Sequence, residues 1–174
     1  GRSFATADGR TFVPVGATWL RPGTGWPPRM WREFSADEAR QDLSRLRAQG
    51  ANTVRVVLSY GSFYMRPEVL SPEGLEKFDR FLSLAEEAGL YVIVVGPEGW
   101  VGTPEWARGD RVADETIVRV MQAFWRLFVS RYKNRASILA WELAREPRPG
   151  WAGKTMEIRW NGWLRDTYSD AEKA

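Results

Sequence analysis

The groups in this sequence best suited to moving protons are carboxylates. The 174-residue chain contains no histidine and no cysteine. That removes the commonest general base, the commonest metal ligand and every thiolate or disulfide. Acid–base chemistry must rest on Asp, Glu, Lys or Tyr. One segment offers carboxylates in an ordered setting: Ser137-Ile138-Leu139-Ala140-Trp141-Glu142-Leu143-Ala144-Arg145-Glu146-Pro147-Arg148. It is an apolar run that ends in a carboxylate and then a proline. The proline restricts its predecessor to extended conformations, which holds Glu146 at the carboxyl end of a strand. Two carboxylates across a glycosidic bond suffice to hydrolyse it, one protonating the leaving oxygen and the other acting at the anomeric carbon. A surface glutamate in a turn accounts for the same spacing equally well.

Other candidates fall at comparable places. Arg55 is a lone charge inside the apolar run Thr53–Leu58, where it serves either a site or a structural ion pair, for example with Glu142. Glu98, in Gly96-Pro97-Glu98-Gly99-Trp100, follows another apolar run and is a candidate for substrate contact. Ten tryptophans are many for this length, and Trp19, Trp26, Trp31, Trp100, Trp106 and Trp151 lie near turn signals. Burial is the default for any one indole. Several on loops suggest a surface for flat apolar faces such as those of sugar rings, with Trp19 and Trp100 the leading candidates. Tyr60 and Tyr64 follow the second apolar run and could reach a cleft there. No metal site and no cofactor are implied.

These residues need elements to hold them, and the sequence supplies an alternation. Phe12–Ala17 reads as a first strand, followed by a Pro/Gly/Trp-rich loop from Arg21 to Trp31. Ser35-Ala36-Asp37-Glu38 is a capping box for a helix running to about Ala48. Thr53–Leu58 is a second strand, nearly continuous in apolar residues as a strand covered on both faces should be. Ser71-Pro72-Glu73 opens a helix that Gly89 ends. Tyr91–Val95 is a third strand, and Asp110 or Asp114 caps a helix to about Tyr132. Ile138–Leu143 is a fourth strand, and a last helical pattern covers about Glu157 to Tyr168. The order βαβαβαβα predicts an α/β fold with a parallel sheet. No glycine-rich phosphate loop follows the first strand, and the loops after strands are long. Both favour a TIM (β/α)8 barrel, of which this chain carries four βα units in a single domain, residues 1–174.

The motifs carry a family likeness. ILAWELAREP resembles the fourth-strand signature of clan A glycoside hydrolases such as families 5 and 42, usually W-E/D-x-x-N-E-P. Phe12–Ala17, preceded by Asp8-Gly9, resembles their first strand, and Gly50-Ala51-Asn52-Thr53-Val54-Arg55-Val56 their second. Trp163-Leu164-Arg165-Asp166-Thr167-Tyr168 resembles the helix after the fourth strand. The likeness spans nearly the whole chain, as the N-terminal half of such a barrel. It implies Glu146 as the acid/base of a retaining mechanism, Arg55 beside the nucleophile, and a nucleophile on a seventh strand, beyond Ala174. One departure stands out. Where the family has Asn before the acid/base, this chain has Arg145, which could recognise an acidic sugar or pair with Glu146 and lower its pKa.

The reading that results is a retaining glycosidase acting on a β-linked oligo- or polysaccharide. Glu146 and Arg55 are catalytic in it, and Trp19, Glu98, Trp100 and Arg145 contact substrate. The alternatives are a glycosidase-like carbohydrate-binding protein without turnover, and a half-barrel that pairs with itself. The expected partners are therefore a carbohydrate and either a C-terminal half-barrel or a second copy. Arginines are scattered among acidic residues at a net charge of only +3, which argues against nucleic acid. No run approaches the ~18 apolar residues of a membrane span, and the first residues lack a signal-peptide pattern. The preference for arginine over lysine suggests a GC-rich, bacterial source, and secreted and cytoplasmic locations fit equally.

Overall fold

The computed structural model describes residues 4–5, 8–98, 104–107, 114–145 and 152–168. In chain order its strands are β1 (Phe4–Ala5), β2 (Thr11–Phe12), β3 (Gly16–Thr18), β4 (Thr53–Ser59), β5 (Tyr64–Arg66), β6 (Val69–Leu70), β7 (Tyr91–Glu98) and β8 (Ile138–Glu142). The helices are α1 (Arg29–Arg32), α2 (Ala36–Ala48), α3 (Tyr60–Phe63), α4 (Pro72–Glu87), α5 (Glu115–Tyr132) and α6 (Lys154–Thr167), with a 3₁₀ turn at Glu105–Ala107. Strands β3, β4, β7 and β8 form one parallel sheet in that order. Two short antiparallel hairpins, β1–β2 and β5–β6, stand apart from it.

The long helices start where side chains can satisfy their first N–H groups. Ser35 Oγ accepts from Glu38 N at 3.4 Å, Ser71 Oγ from Gly74 N at 3.1 Å, and Asp114 Oδ1 from Thr116 N at 2.8 Å. The capping aspartate is thus Asp114. Helix α6 begins at Lys154, three residues before the sequence pattern does, with Gly153 at its N-cap and no side-chain cap.

The first sheet strand differs from expectation. Only Gly16–Thr18 joins the sheet, while Thr11–Phe12 pairs back on Phe4–Ala5. Pro14, lying between, has no N–H to donate to a ladder. Asn52 bridges the gap: its Oδ1 accepts from Val15 N at 2.8 Å and its Nδ2 donates to Val13 O at 2.9 Å. Gly16 is required there because a Cβ would collide with the Thr53 carbonyl.

Strand alternation separates two faces. Val54, Val56, Leu58, Val92 and Val94 join one buried cluster with Leu43 of α2, Phe78 and Phe81 of α4, and Phe124 and Phe128 of α5. Helices α2, α4 and α5 therefore share one face of the sheet. A doubly wound fold covers both faces with helices, so one-sided packing is the arrangement of a barrel wall. The opposite face carries Thr18, Arg55 and Glu142. Among the described residues no helix is long and apolar enough to cross a membrane.

Candidate functional site

Arg55 and Glu142 meet across the sheet face turned away from the helices. Arg55 Nε donates to Glu142 Oε2 at 2.7 Å and Nη2 to Oε1 at 2.5 Å, a two-pronged pair, while Nη1 reaches Thr18 Oγ1 at 3.2 Å. Three strands are thereby tied together: β3 by Thr18, β4 by Arg55 and β8 by Glu142, with β7 spanned between them. Register places these side chains on one face, since Thr18 pairs with Arg55 and Arg55 with Ile93. The guanidinium side chain is 25% exposed and the carboxylate 33%, so solvent screens the pair in part. The geometry is the bidentate one in which arginine is most selective.

Close packing holds the carboxyl end of β8. Trp125 of α5 donates its indole N–H to the Leu143 carbonyl at 3.2 Å, and Trp141 packs edge-on against Trp125 at 5.9 Å. Gly96 of β7 lies beneath this contact. A Cβ there would sit 2.5 Å from Trp125 Cζ2 and closer still to the Leu143 carbonyl oxygen. Absence of a side chain at position 96 thus allows Leu143, three residues before Glu146, to pack as it does.

Beyond Leu143, Arg145 lays its guanidinium over the Trp26 ring at 4.2 Å from the centroid. Trp26 belongs to the loop after β3 and Arg145 to the segment after β8, so this contact joins the segments that follow the two outer strands of the sheet. The loop is anchored at its root. Arg21 pairs with Glu38 and, through Nε at 3.1 Å, with Asp42 of α2. Asp42 also accepts the Trp19 indole N–H at 3.2 Å. A tight turn closes the loop from Arg21 to Gly25, whose φ of 67° suits glycine.

The candidate residues are not all brought together. Arg55 lies mid-sheet, level with Ile93 and Ala140, with its side chain reaching Glu142, and Arg145 follows β8 by three residues; Glu146 and Trp100 fall outside the described residues. Glu98 ends β7 with its backbone paired to Ser59; its side chain is likewise outside the description. Trp19 is not a stacking surface. It is 6% exposed and packs at 4.8 Å on Phe81, 6.0 Å on Trp31 and 6.2 Å on Phe34. The reason is alternation: Thr18 shares the face of Arg55, so Trp19 must turn to the helices. Tyr60 and Tyr64 are also buried, with Trp106 edge-on to both and Phe124 edge-on to Tyr64. Burial pushes the Tyr64 phenol above its ordinary range, and a hydrogen bond from Glu68 N at 2.5 Å opposes that shift. Burial raises the Tyr132 phenol further still.

Thr18 and Trp26 are the site neighbours that sequence reasoning missed. Thr18 was available from the period of two, once Arg55 was assigned to its face. Nothing local in the sequence pairs position 26 with position 145. Among the described residues no group of three or more His, Cys, Asp or Glu could hold a metal ion.

Comparison with known proteins points the same way as this half-buried cation–carboxylate pair on one face of a parallel sheet. Residues 16–173 match the Cellulase (glycosyl hydrolase family 5) family. The chain belongs to glycosyl hydrolase family 5. A probable mannan endo-1,4-β-mannosidase F of Aspergillus flavus is 28% identical to this family 5 chain over 186 residues, covering 87% of it and 40% of the relative. A mannan endo-1,4-β-mannosidase A of Emericella nidulans is 29% identical, covering 84% and 44% respectively. Among solved structures, an exo-β-1,4-mannosidase from Opitutaceae bacterium strain TAV5 superposes with a TM-score of 0.73 at 26% identity, covering 83% of this chain and 26% of that one. The family 5 chain thus spans about 40% of the length of the curated relatives it matches. Its sheet is part of a (β/α)8 barrel, in agreement with the one-sided helical packing.

Proposed function

We propose that this family 5 chain contributes the acid/base half of a retaining β-glycosidase, and that the substrate is a β-1,4-linked mannoside. The observation that carries the reading is the Arg55–Glu142–Thr18 cluster at 2.5–3.2 Å on the helix-free face, four residues before Glu146. In this reading Glu146 donates its proton to the leaving glycosidic oxygen and then takes one from the water that releases the glycosyl-enzyme. The nucleophile comes from outside these 174 residues. Arg55, fixed in direction by Glu142, supplies positive charge next to it and keeps it ionised. Glu98, the last residue of β7, and Trp100, two positions on in the sequence, are assigned to substrate contact. The mannoside follows the relatives, which are mannosidases by name. Acid–base and nucleophilic carboxylates complete this chemistry without a metal or cofactor, and residues 1–174 form a single domain of it.

The test is Glu146→Gln in the complete gene product, assayed on an activated aryl β-mannoside. A loss of turnover of about 10²-fold or more is expected, the scale of general acid–base catalysis. Unchanged turnover removes Glu146 from the mechanism. Arg145 favours a second reading, a carbohydrate-binding protein without turnover, because a cation next to the acid/base opposes its protonated state. Mannoside binding without hydrolysis by the unmodified protein selects that reading.

A further inference from the structure

Trp26, in the loop after β3, holds a charged plane against one face of its ring. Trp26 is 41% exposed, although large aromatic side chains are ordinarily drawn into cores. The exposure does not come from a slack loop. Two carboxylates of α2 grip the loop root through Arg21, the Arg21–Gly25 turn closes it, and Met30 and Trp31, just beyond, are buried in the core. The indole is thus presented from a rigid base, at the end of the sheet where Glu146 follows β8. Its orientation is set by a residue from the far edge of that sheet, Arg145, with its guanidinium 4.2 Å from the ring centroid. Guanidinium stacks well on an aromatic face because it is planar and weakly hydrated. A lysine or a neutral residue at position 145 does not supply that plane.

We propose that Trp26 is a substrate-stacking residue at the rim of the cleft, specific for a pyranose ring of the oligosaccharide beyond the bond cleaved, and that Arg145 is its positioning residue. This rests on the glycosidase reading above. In it the side chain at position 145 acts on the substrate through the indole. Trp26 is thereby added to the specificity determinants, and the cation beside Glu146 gains a function of its own.

The complete gene product is assayed on β-1,4-mannohexaose and on a short aryl β-mannoside that occupies only the reacting position. Trp26→Leu is expected to raise KM for the hexaose about five- to tenfold, the order of one aromatic contact, with kcat and the aryl mannoside kinetics within about twofold. Trp26→Phe restores most of the hexaose affinity. Arg145→Met raises hexaose KM in the same direction, and the double variant Trp26→Leu/Arg145→Met is no worse than Trp26→Leu. Equal losses on both substrates, or additive losses in the double variant, overturn the proposal. Should the unmodified protein hydrolyse neither substrate, the catalytic reading fails and hexaose binding measured by calorimetry decides this one. Weaker binding by Trp26→Leu with rescue by Trp26→Phe sustains it, and equal binding by all three proteins overturns it.

Discussion

Gly96→Ala puts one methyl group into the contact that seats the end of β8. The added Cβ starts 2.5 Å from Trp125 Cζ2, and ordinary contact begins at about 3.4 Å, so ring or strand must yield by about 0.9 Å. The other neighbour is the Leu143 carbonyl, held by the Trp125 N–H at 3.2 Å. Neither is the loose end of a flexible chain. Overpacking of this kind costs about 1–3 kcal/mol, and the lower chain entropy of alanine returns roughly 0.5–1 kcal/mol. The net is about 1–2 kcal/mol, which for a chain of this size is roughly a 2–8 °C fall in melting temperature. The larger effect belongs to the site. Leu143 is three residues from Glu146, and a misplacement of about 1 Å at a reacting group costs on the order of 10²-fold in rate. The assay pairs thermal unfolding with kcat on an aryl β-mannoside for Gly96→Ala and for Gly74→Ala. Position 74 also crowds backbone, at Ser62, with Phe63 Cδ1 at 3.2 Å, but in the helical layer. Both variants should be destabilised and only Gly96→Ala should lose turnover. If Gly96→Ala loses stability and keeps kcat within twofold, the seat of Leu143 does not control the catalytic end of β8.

Two further outcomes follow from the same contacts. Glu142→Gln removes the charge from a two-pronged pair. Charged hydrogen bonds are worth about 1.5–3 kcal/mol, and partial exposure of both groups reduces this to about 1–2 kcal/mol. Urea unfolding should show that loss shrinking as salt is raised, and Arg55→Met should add little in the Glu142→Gln background; fully additive losses would mean the pair is not the relevant contact. The Tyr132 phenol holds its proton more tightly when folded than the ordinary value near 10, through burial first. Its contribution to stability is complete below about pH 10 and is lost as pH rises past it, because the unfolded chain ionises first. The urea midpoint should therefore fall from pH 9 to 11.5, less steeply in Tyr132→Phe; identical slopes would remove Tyr132 from the account.

Much of the scaffold was legible because its signals are local. Ser35, Ser71 and Asp114 each cap the helix that their spacing announces. The apolar runs at Thr53 and Tyr91 became the central strands β4 and β7. The Arg55–Glu142 pair could be named because a charge in a buried strand needs a partner. What failed was non-local or hid a competing rule. Phe12–Ala17 looked like one strand, yet Pro14 ends pairing and the sheet strand begins at Gly16. Trp19 looked like a cleft residue because it follows a strand, whereas strict alternation sends it to the helices. The short α3 and the β5–β6 hairpin had no periodicity long enough to read. Trp26 meeting Arg145 depends on where a loop and a turn converge in space, and no window of sequence contains both.

The strand order has a consequence for how such a sheet comes into being. β3, β4, β7 and β8 lie side by side in the order in which they are translated, and each pairs only with its immediate predecessor and successor. No strand waits for a later one to be inserted between it and a neighbour already in place. A chain emerging from the ribosome can therefore add each unit to a finished edge, with the newest strand always the site of the next addition. The helix between two strands covers the earlier strands before the next unit is made, so apolar surface is exposed for one unit at a time. Assembly is vectorial by design of the topology, and the Arg55–Glu142 pair, closing only when β8 arrives, marks completion of the fourth step.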